Sequence, residues 1–200
     1  GALYAAASSS DYPPTPNPQP LLPAMRIIPP VFLCLIALLL VGVAVAYLAV
    51  RGSLPVIDGE RLVAGLEGET VVERDAVGAV TITGHSRDDV AYATGFVHAQ
   101  DRFFQMDLSR RMSGGRLAEL GGDAAVDLDA RRRIQRFHDV AERVYVQLAP
   151  AEKTLLDAYA RGVNAGLESL RVRPFEYLLL RQRPESWRAQ DCLLVVYAMY

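Results

Sequence analysis

The stretch from Gly95 to Gly122, GFVHAQDRFFQMDLSRRMSGGRLAELGG, holds one histidine, two aspartates, four arginines and three phenylalanines. Two kinds of chemistry fit such a set. On a helix His98 and Asp101 stand three residues apart and can touch, which is the spacing of an acid–base pair. The other reading is structural. At 100° per residue Val97, Asp101, Phe104 and Leu108 share one face, extended by Val90 and Met112. Asp101 then lies on an apolar stripe, where a carboxylate without a partner is costly or takes up a proton. An arginine or backbone N–H groups would have to hold it as an internal brace.

Catalysis would also need a nucleophile or a metal beside the pair. Ser109 and Ser113 come two or more turns later with no histidine next to them, and His85, His98 and His138 lack metal-ligand spacing. The brace is therefore the stronger reading, and no residue receives a catalytic or metal-binding role. Asp107 with Arg110 and Arg111 reads as ordinary i,i+3 and i,i+4 pairs, each contributing about 0.2–0.5 kcal/mol. Arg131, Arg132, Arg133 and Arg136 alternate with Asp127, Asp129, Asp139 and Glu142 and lack stacking aromatics, which predicts a solvated helix face. With a net charge of −2, no nucleic-acid partner is expected. Cys34 and Cys192 each sit in an apolar run, so neither a disulfide framework nor a metal spacing exists. Trp187 and Phe175 are expected as core anchors.

The elements that must position these groups are mostly helical. Ser86 and Asp89 form a capping-box pair with a short acid, predicting a helix from about Arg87 to Met112 that stops at Gly114-Gly115. A turn, RLAEL, leads to Gly121-Gly122. A charged helix is expected from about Asp129 to Leu148, and Pro150 fits the first turn of the next helix. That helix carries Leu156, Tyr159, Ala160, Val163, Leu167 and Leu170 at amphipathic spacing. A short helical piece, Pro174–Leu180, precedes a last apolar segment, Gln190–Tyr200, which meets no stop signal and reads as cut mid-helix. Ahead of all these, Glu69–Arg74 and Ala79–Thr83 read as a hairpin joined by Asp75–Gly78.

The first part of the chain differs in kind. Val31 to Val50 is an uncharged apolar run between Arg26 and Arg51, and as a helix it spans about 30 Å, the thickness of a bilayer's hydrocarbon core. It reads as an uncleaved transmembrane anchor, or else as a signal cut near Ala44-Val45-Ala46. Either way the following residues are expected to be exported, to a periplasmic or extracellular face. Residues 1–24, with six prolines after Tyr12 and a single charge, are expected to be disordered. The predicted organisation is thus 1–24 disordered, 25–51 anchor or signal, 52–68 a glycine-rich linker and 69–200 the folded part.

Four blocks then occur in order: VVERDAVGAVTI, YATGFVHAQDRFFQMDLSRRMSGGRLAELGG, LLDAYARGVNAGLESL and PESWRAQDCLLV. Together they resemble the amino-terminal part of the α chain of the penicillin acylases, which are N-terminal-nucleophile hydrolases. The likeness covers about Val71 to Tyr200, and GFVHAQDRFFQMD with GRLAE is its most specific part. One departure is Gly78-Ala79-Val80, where the family usually has Gly-Val-Pro. The resemblance implies an α/β enzyme of four αββα layers, made as a precursor that cuts itself. A new amino-terminal serine on the β chain becomes the nucleophile, with its own α-amine as base. It implies a β chain as partner, acylated small-molecule amides as substrates (β-lactams, acyl-homoserine lactones or lipopeptides), and calcium held by residues beyond this chain. It also places Tyr200 near the helix that lines the acyl pocket, as a substrate contact or as plain packing. The reading from a different class is a single-pass membrane protein with a helical, non-catalytic interaction domain.

Overall fold

The computed structural model describes residues 29–199. Residues 1–24 with their expected disorder, Arg26 and Tyr200 all lie outside the described residues. The chain divides into two units at Leu40/Val41. Described residues up to Leu40 form the first part of helix α1 (Pro30–Ser53), and none of α1 is buried. Its length and composition suffice to cross a membrane. The proline at its first position loses nothing, since that N–H has no helical partner.

In the second unit the described residues are mostly helical around one two-stranded sheet. Strands β1 (Val71–Arg74) and β2 (Val80–Thr83) pair antiparallel with Val71 opposite Thr83 and Arg74 opposite Val80. Their turn is closed by Asp75, whose Oδ1 accepts the N–H groups of Val77 (3.0 Å) and Ala79 (2.8 Å). Gly78, at φ 85°, supplies the left-handed step. Ala79 and Val80 in place of Val-Pro thus leave a well-bonded turn.

Helix α2 (Arg87–Gly114) opens on the expected capping box. The Ser86 Oγ accepts the Asp89 N–H at 3.1 Å, and the Ser86 N–H donates to Asp89 Oδ2 at 3.2 Å. Glu67 N–H adds a second bond to that carboxylate, at 2.8 Å. At the other end Gly115, left-handed at φ 66°, lets the Arg116 N–H return to the Arg111 carbonyl. After it come α3 (Ala118–Gly121), a 3₁₀ turn and α4 (Val126–Arg133). Asp129 of α4 accepts the N–H groups of Leu117 and Ala118, and Arg133 donates to the Gly115 carbonyl. The basic cluster is thus not all solvated: Arg133 works on the end of α2.

The single helix expected from Asp129 to Leu148 is two. Arg136 takes a left-handed conformation, φ 52°, and separates α4 from α5 (Phe137–Gln147). Helix α6 (Pro150–Glu168) starts on its proline as expected. Short α7 (Phe175–Leu179) and α8 (Ala189–Tyr197) follow.

The pairing of α2 with α6 sets the core. A Cβ on Gly95 would overlap the Tyr159 carbonyl, one on Gly162 the Tyr92 carbonyl, and one on Gly166 the Phe96 carbonyl. Backbone therefore meets backbone, and the roughly 1 kcal/mol that each helical glycine costs is offset by the close approach it permits. Beside that seam Phe103, Met106, Val163, Tyr177 and Trp187 pack together. Trp187 is the anchor that its type predicts, but Phe175 is not: it is 44% exposed, and its neighbour Tyr177 fills the core instead.

Candidate functional site

The charged helix buries only part of the face that its apolar residues mark: Val97 is buried and Phe104 packs against Tyr177, but Asp101 is exposed. The predicted stripe was Val97, Asp101, Phe104 and Leu108; the residues against α6, α7 and α8 include Ala99, Phe103, Met106 and Arg110. After the break at Arg102 the buried positions stand two residues, roughly 200°, from the predicted ones. An arginine does hold Asp101: Arg74 of β1 donates through Nη1 and Nη2 to both carboxylate oxygens at 3.0 and 2.9 Å. The brace exists, between the hairpin and α2, but it is a surface one. The backbone leaves helical geometry directly after it, at Arg102 (φ −152°, ψ 28°).

His98 and Asp101 do not form a pair. The His98 Nδ1 lies 2.9 Å from the Tyr159 hydroxyl, with the two rings edge-to-face. Burial, with help from the Arg102 charge, lowers the His98 pKa and favours the neutral ring. Burial also raises the Tyr159 hydroxyl well above its ordinary range.

Beside the backbone-capping Asp89 and Asp129, the charges that enter the interior are Asp107, Arg110, Arg111 and Asp191. Their partners come from α2, α3, α7, α8 and the loop before α8. Asp107, 0% exposed, accepts from Arg110 Nε at 2.7 Å, Arg111 Nε at 2.9 Å and the Tyr177 hydroxyl of α7 at 2.6 Å. Arg110 continues through Nη1 to Asp191 (2.6 Å) and the Ser186 carbonyl (2.9 Å), and through Nη2 to the Glu185 carbonyl (2.9 Å). Its guanidinium lies 4.9 Å from the centre of the Trp187 ring. Arg111 reaches Glu119, and Asp191 also accepts the Arg188 N–H at the start of α8. Asn164 of α6 clasps Trp187 in both directions, donating to its carbonyl at 2.9 Å and accepting its N–H at 2.8 Å.

Burial alone would raise the Asp107 pKa. The Arg110 charge and the bonds from Tyr177, Arg110 and Arg111 outweigh it and hold the carboxyl below its ordinary value. Burial, and then the bond to Asp107, drives the Tyr177 hydroxyl far above its usual range. Both oxygens of Asp107 and every nitrogen of Arg110 named above are turned to a protein partner. Such a network cannot exchange a proton with a substrate. It fixes α2, α7 and α8 against one another.

The nucleophile types are equally occupied. Ser109 and Ser113 donate to carbonyls four residues back, and Ser86 caps α2. Burial pushes the Cys192 thiol up to about 11, and its sulfur accepts from the Trp187 indole at 3.4 Å. An apolar groove of ≈ 790 Å³ opens beside these groups, with Val90, Leu155, Leu156, Tyr159, Trp187 and Val195 in its wall. Among the described residues no three His, Cys, Asp or Glu groups stand together as metal ligands. Tyr200, the one residue expected to touch substrate, lies outside the described residues.

Sequence reasoning missed the buried network because its signal is weak. Asp-x-x-Arg-Arg looks the same on a wet helix face, and the partners Tyr177 and Asp191 stand 70 and 81 residues from the groups they bond.

Comparison with known proteins accounts for a scaffold of this kind. The family model described as penicillin amidase matches residues 69–200. The penicillin acylase 2 proenzyme of Pseudomonas sp. (strain SE83) is 38% identical over 148 residues, covering 74% of this chain and 19% of that protein. The acyl-homoserine lactone acylase QuiP of Pseudomonas putida is 36% identical over 146 residues, covering 72% of this chain and 18% of that protein. Among solved structures, the thermostable penicillin G acylase from Alcaligenes faecalis superposes with a TM-score of 0.57 at 30% identity, over 64% of this chain and 69% of that one. The sequence here thus spans about a fifth of the length of these curated relatives. Carrying the family's match over most of its length, this chain belongs to the penicillin amidase family.

Proposed function

We propose that this chain is the amino-terminal part of a membrane-anchored, exported amidohydrolase precursor. In this reading the whole protein hydrolyses the side-chain amide of acylated small molecules such as β-lactams, acyl-homoserine lactones or lipopeptides. The observation that carries it is the family match across residues 69–200, supported by relatives named as penicillin and acyl-homoserine lactone acylases, one of them as a proenzyme. The share of those relatives that this chain covers leaves room for the nucleophile elsewhere. The anchor segment is 25–51, most of it in α1, which ends two residues later at Ser53; residues 52–68 connect it to the folded part, and 1–24 precede it.

The contribution of this chain is then positional. The Asp107–Arg110–Asp191 network sets the direction of α8, and Tyr200, shortly after it, meets the acyl group. The self-processed β chain completes an αββα enzyme and supplies the serine, its α-amine base and the oxyanion donors. Calcium would be held by residues outside this chain. The buried Asp107 fits no metal, because two arginines and a tyrosine hydroxyl already fill its oxygens, and Asp191 Oδ2 is taken by Arg110 and the Arg188 N–H.

The test is expression of the complete reading frame, followed by intact-mass analysis and an assay panel of chromogenic phenylacetyl amides and long-chain acyl-homoserine lactones. Two subunits from one precursor with hydrolysis of an acyl amide is the expected result. One intact, inactive chain would sink the proposal and favour a non-catalytic interaction protein.

A further inference from the structure

Helix α1 ends in the second unit beside a particular loop. The Gly52 carbonyl accepts the Val172 N–H at 3.0 Å, and a Cβ on Gly52 would strike the Val172 side chain. Arg51, the basic residue of the last turn of α1, stands next to this contact. If α1 spans a bilayer, Gly52 lies where the apolar run gives way to water, and Val172 is held at the same depth.

The segment around Val172 has an unusual composition. Between Arg171 and Arg183 four arginines (Arg171, Arg173, Arg181 and Arg183) face one carboxylate, Glu176, in a chain whose net charge is −2. None of the four is in an ion pair among the described residues. Three of the apolar residues interleaved with them point outward while Pro174 and Tyr177 are buried: Phe175 is 44% exposed, Leu179 77% and Leu180 38%. Phe175 and Leu179 are four apart on α7 and share one side. Exposed apolar residues flanked by unpaired arginines are what a segment lying in a headgroup layer presents.

We propose that residues 171–183 rest on the surface of an anionic phospholipid bilayer, so that the folded unit lies against the membrane that holds α1. This rests on the reading of α1 as a span. Phe175 and Leu179 enter the boundary between headgroups and acyl chains, and the arginines meet lipid phosphates. The arrangement is built by the chain itself: the bond to Gly52 leaves no slack between helix end and loop. Each arginine near an anionic surface strengthens association about fivefold at physiological salt.

The experiment places the full chain in nanodiscs of phosphatidylcholine alone or mixed with phosphatidylglycerol and follows hydrogen exchange in peptides covering 171–183. Exchange slows in the anionic discs and recovers as salt is raised. Changing Arg171, Arg173, Arg181 and Arg183 to Gln removes the protection, by about fivefold for each charge, while peptides covering 99–110 exchange as before. Leu179→Ser, at a position with no buried role, weakens the protection without touching charge. Equal exchange in both lipids overturns the inference. So does equal protection in neutral detergent, which would mean that a protein surface covers the segment. Extraction of the chain from membranes by carbonate would instead overturn the reading of α1 as a span.

Discussion

Replacing Asp107 by Asn tests whether the buried network or the apolar seam holds the charged helix in place. Asn keeps the shape but offers one acceptor and one donor where the carboxylate offered two acceptors. Of Arg110 Nε, Arg111 Nε and the Tyr177 hydroxyl, at 2.7, 2.9 and 2.6 Å, at least one must then face a donor. Breaking a buried ion pair from one side costs about 3–5 kcal/mol. The lower end applies, since Arg110 retains Asp191 and Arg111 retains Glu119. With a urea dependence of about 2 kcal/mol per molar, a loss of about 3 kcal/mol lowers the unfolding midpoint by about 1.5 M. Trp187 reports it directly: it is the sole tryptophan, 3% exposed, and Arg110 stacks on its ring. A urea titration of the chain in nanodiscs, read by its emission, gives both midpoints. A shift worth less than about 1 kcal/mol, the range of an exposed pair, would refute the reasoning.

Three further outcomes follow from the same geometry. Arg74→Ala removes a bidentate but surface bond to Asp101, side chains 20% and 26% exposed, and lowers stability by no more than about 1 kcal/mol in the same titration. Gly162→Ala gains about 1 kcal/mol of helix propensity but drives a Cβ into the Tyr92 carbonyl; separation of α2 from α6 makes the net change destabilising by about 1–3 kcal/mol, seen as a lower midpoint. Asp89, held down by the Glu67 N–H, and Asp107, held down by Arg110 and its neighbours against the pull of burial, both have folded pKa values below the ordinary 3.8. Their stabilisation is complete above that value and is lost as pH falls through the lower folded values. Unfolding free energy should therefore drop below about pH 4, more gently in Asp107→Asn, after an earlier decline that begins near the ordinary histidine value of 6.5, because burial keeps His98 from taking its proton in the folded state.

What was legible in the sequence was local. Ser86 with Asp89, Pro150 at a helix start and the Asp75–Gly78 turn act over three or four residues, so their bonds form much as their types and spacing demand. The face of α2 was not local. Its large apolar residues suggested one stripe, but the helix meets α6 through Gly95 and Ala99, where smallness counts and hydrophobicity does not. That seam fixes the phase of the helix up to Asp101, which turns outward to Arg74; the break at Arg102 resets it, and Asp107 turns inward. The interior accepts Asp107 and Arg111 because two carboxylates, Asp107 and Asp191, enter with two guanidiniums, Arg110 and Arg111, and the charges cancel. Likewise Phe175 lost its expected place in the core to Tyr177, whose hydroxyl can reach Asp107 while its ring packs on Phe103 and Phe104. A phenylalanine there would leave the carboxylate one bond short. The charged helix and its aromatic neighbour are one device, and the chemistry of Asp107 decides which ring is buried.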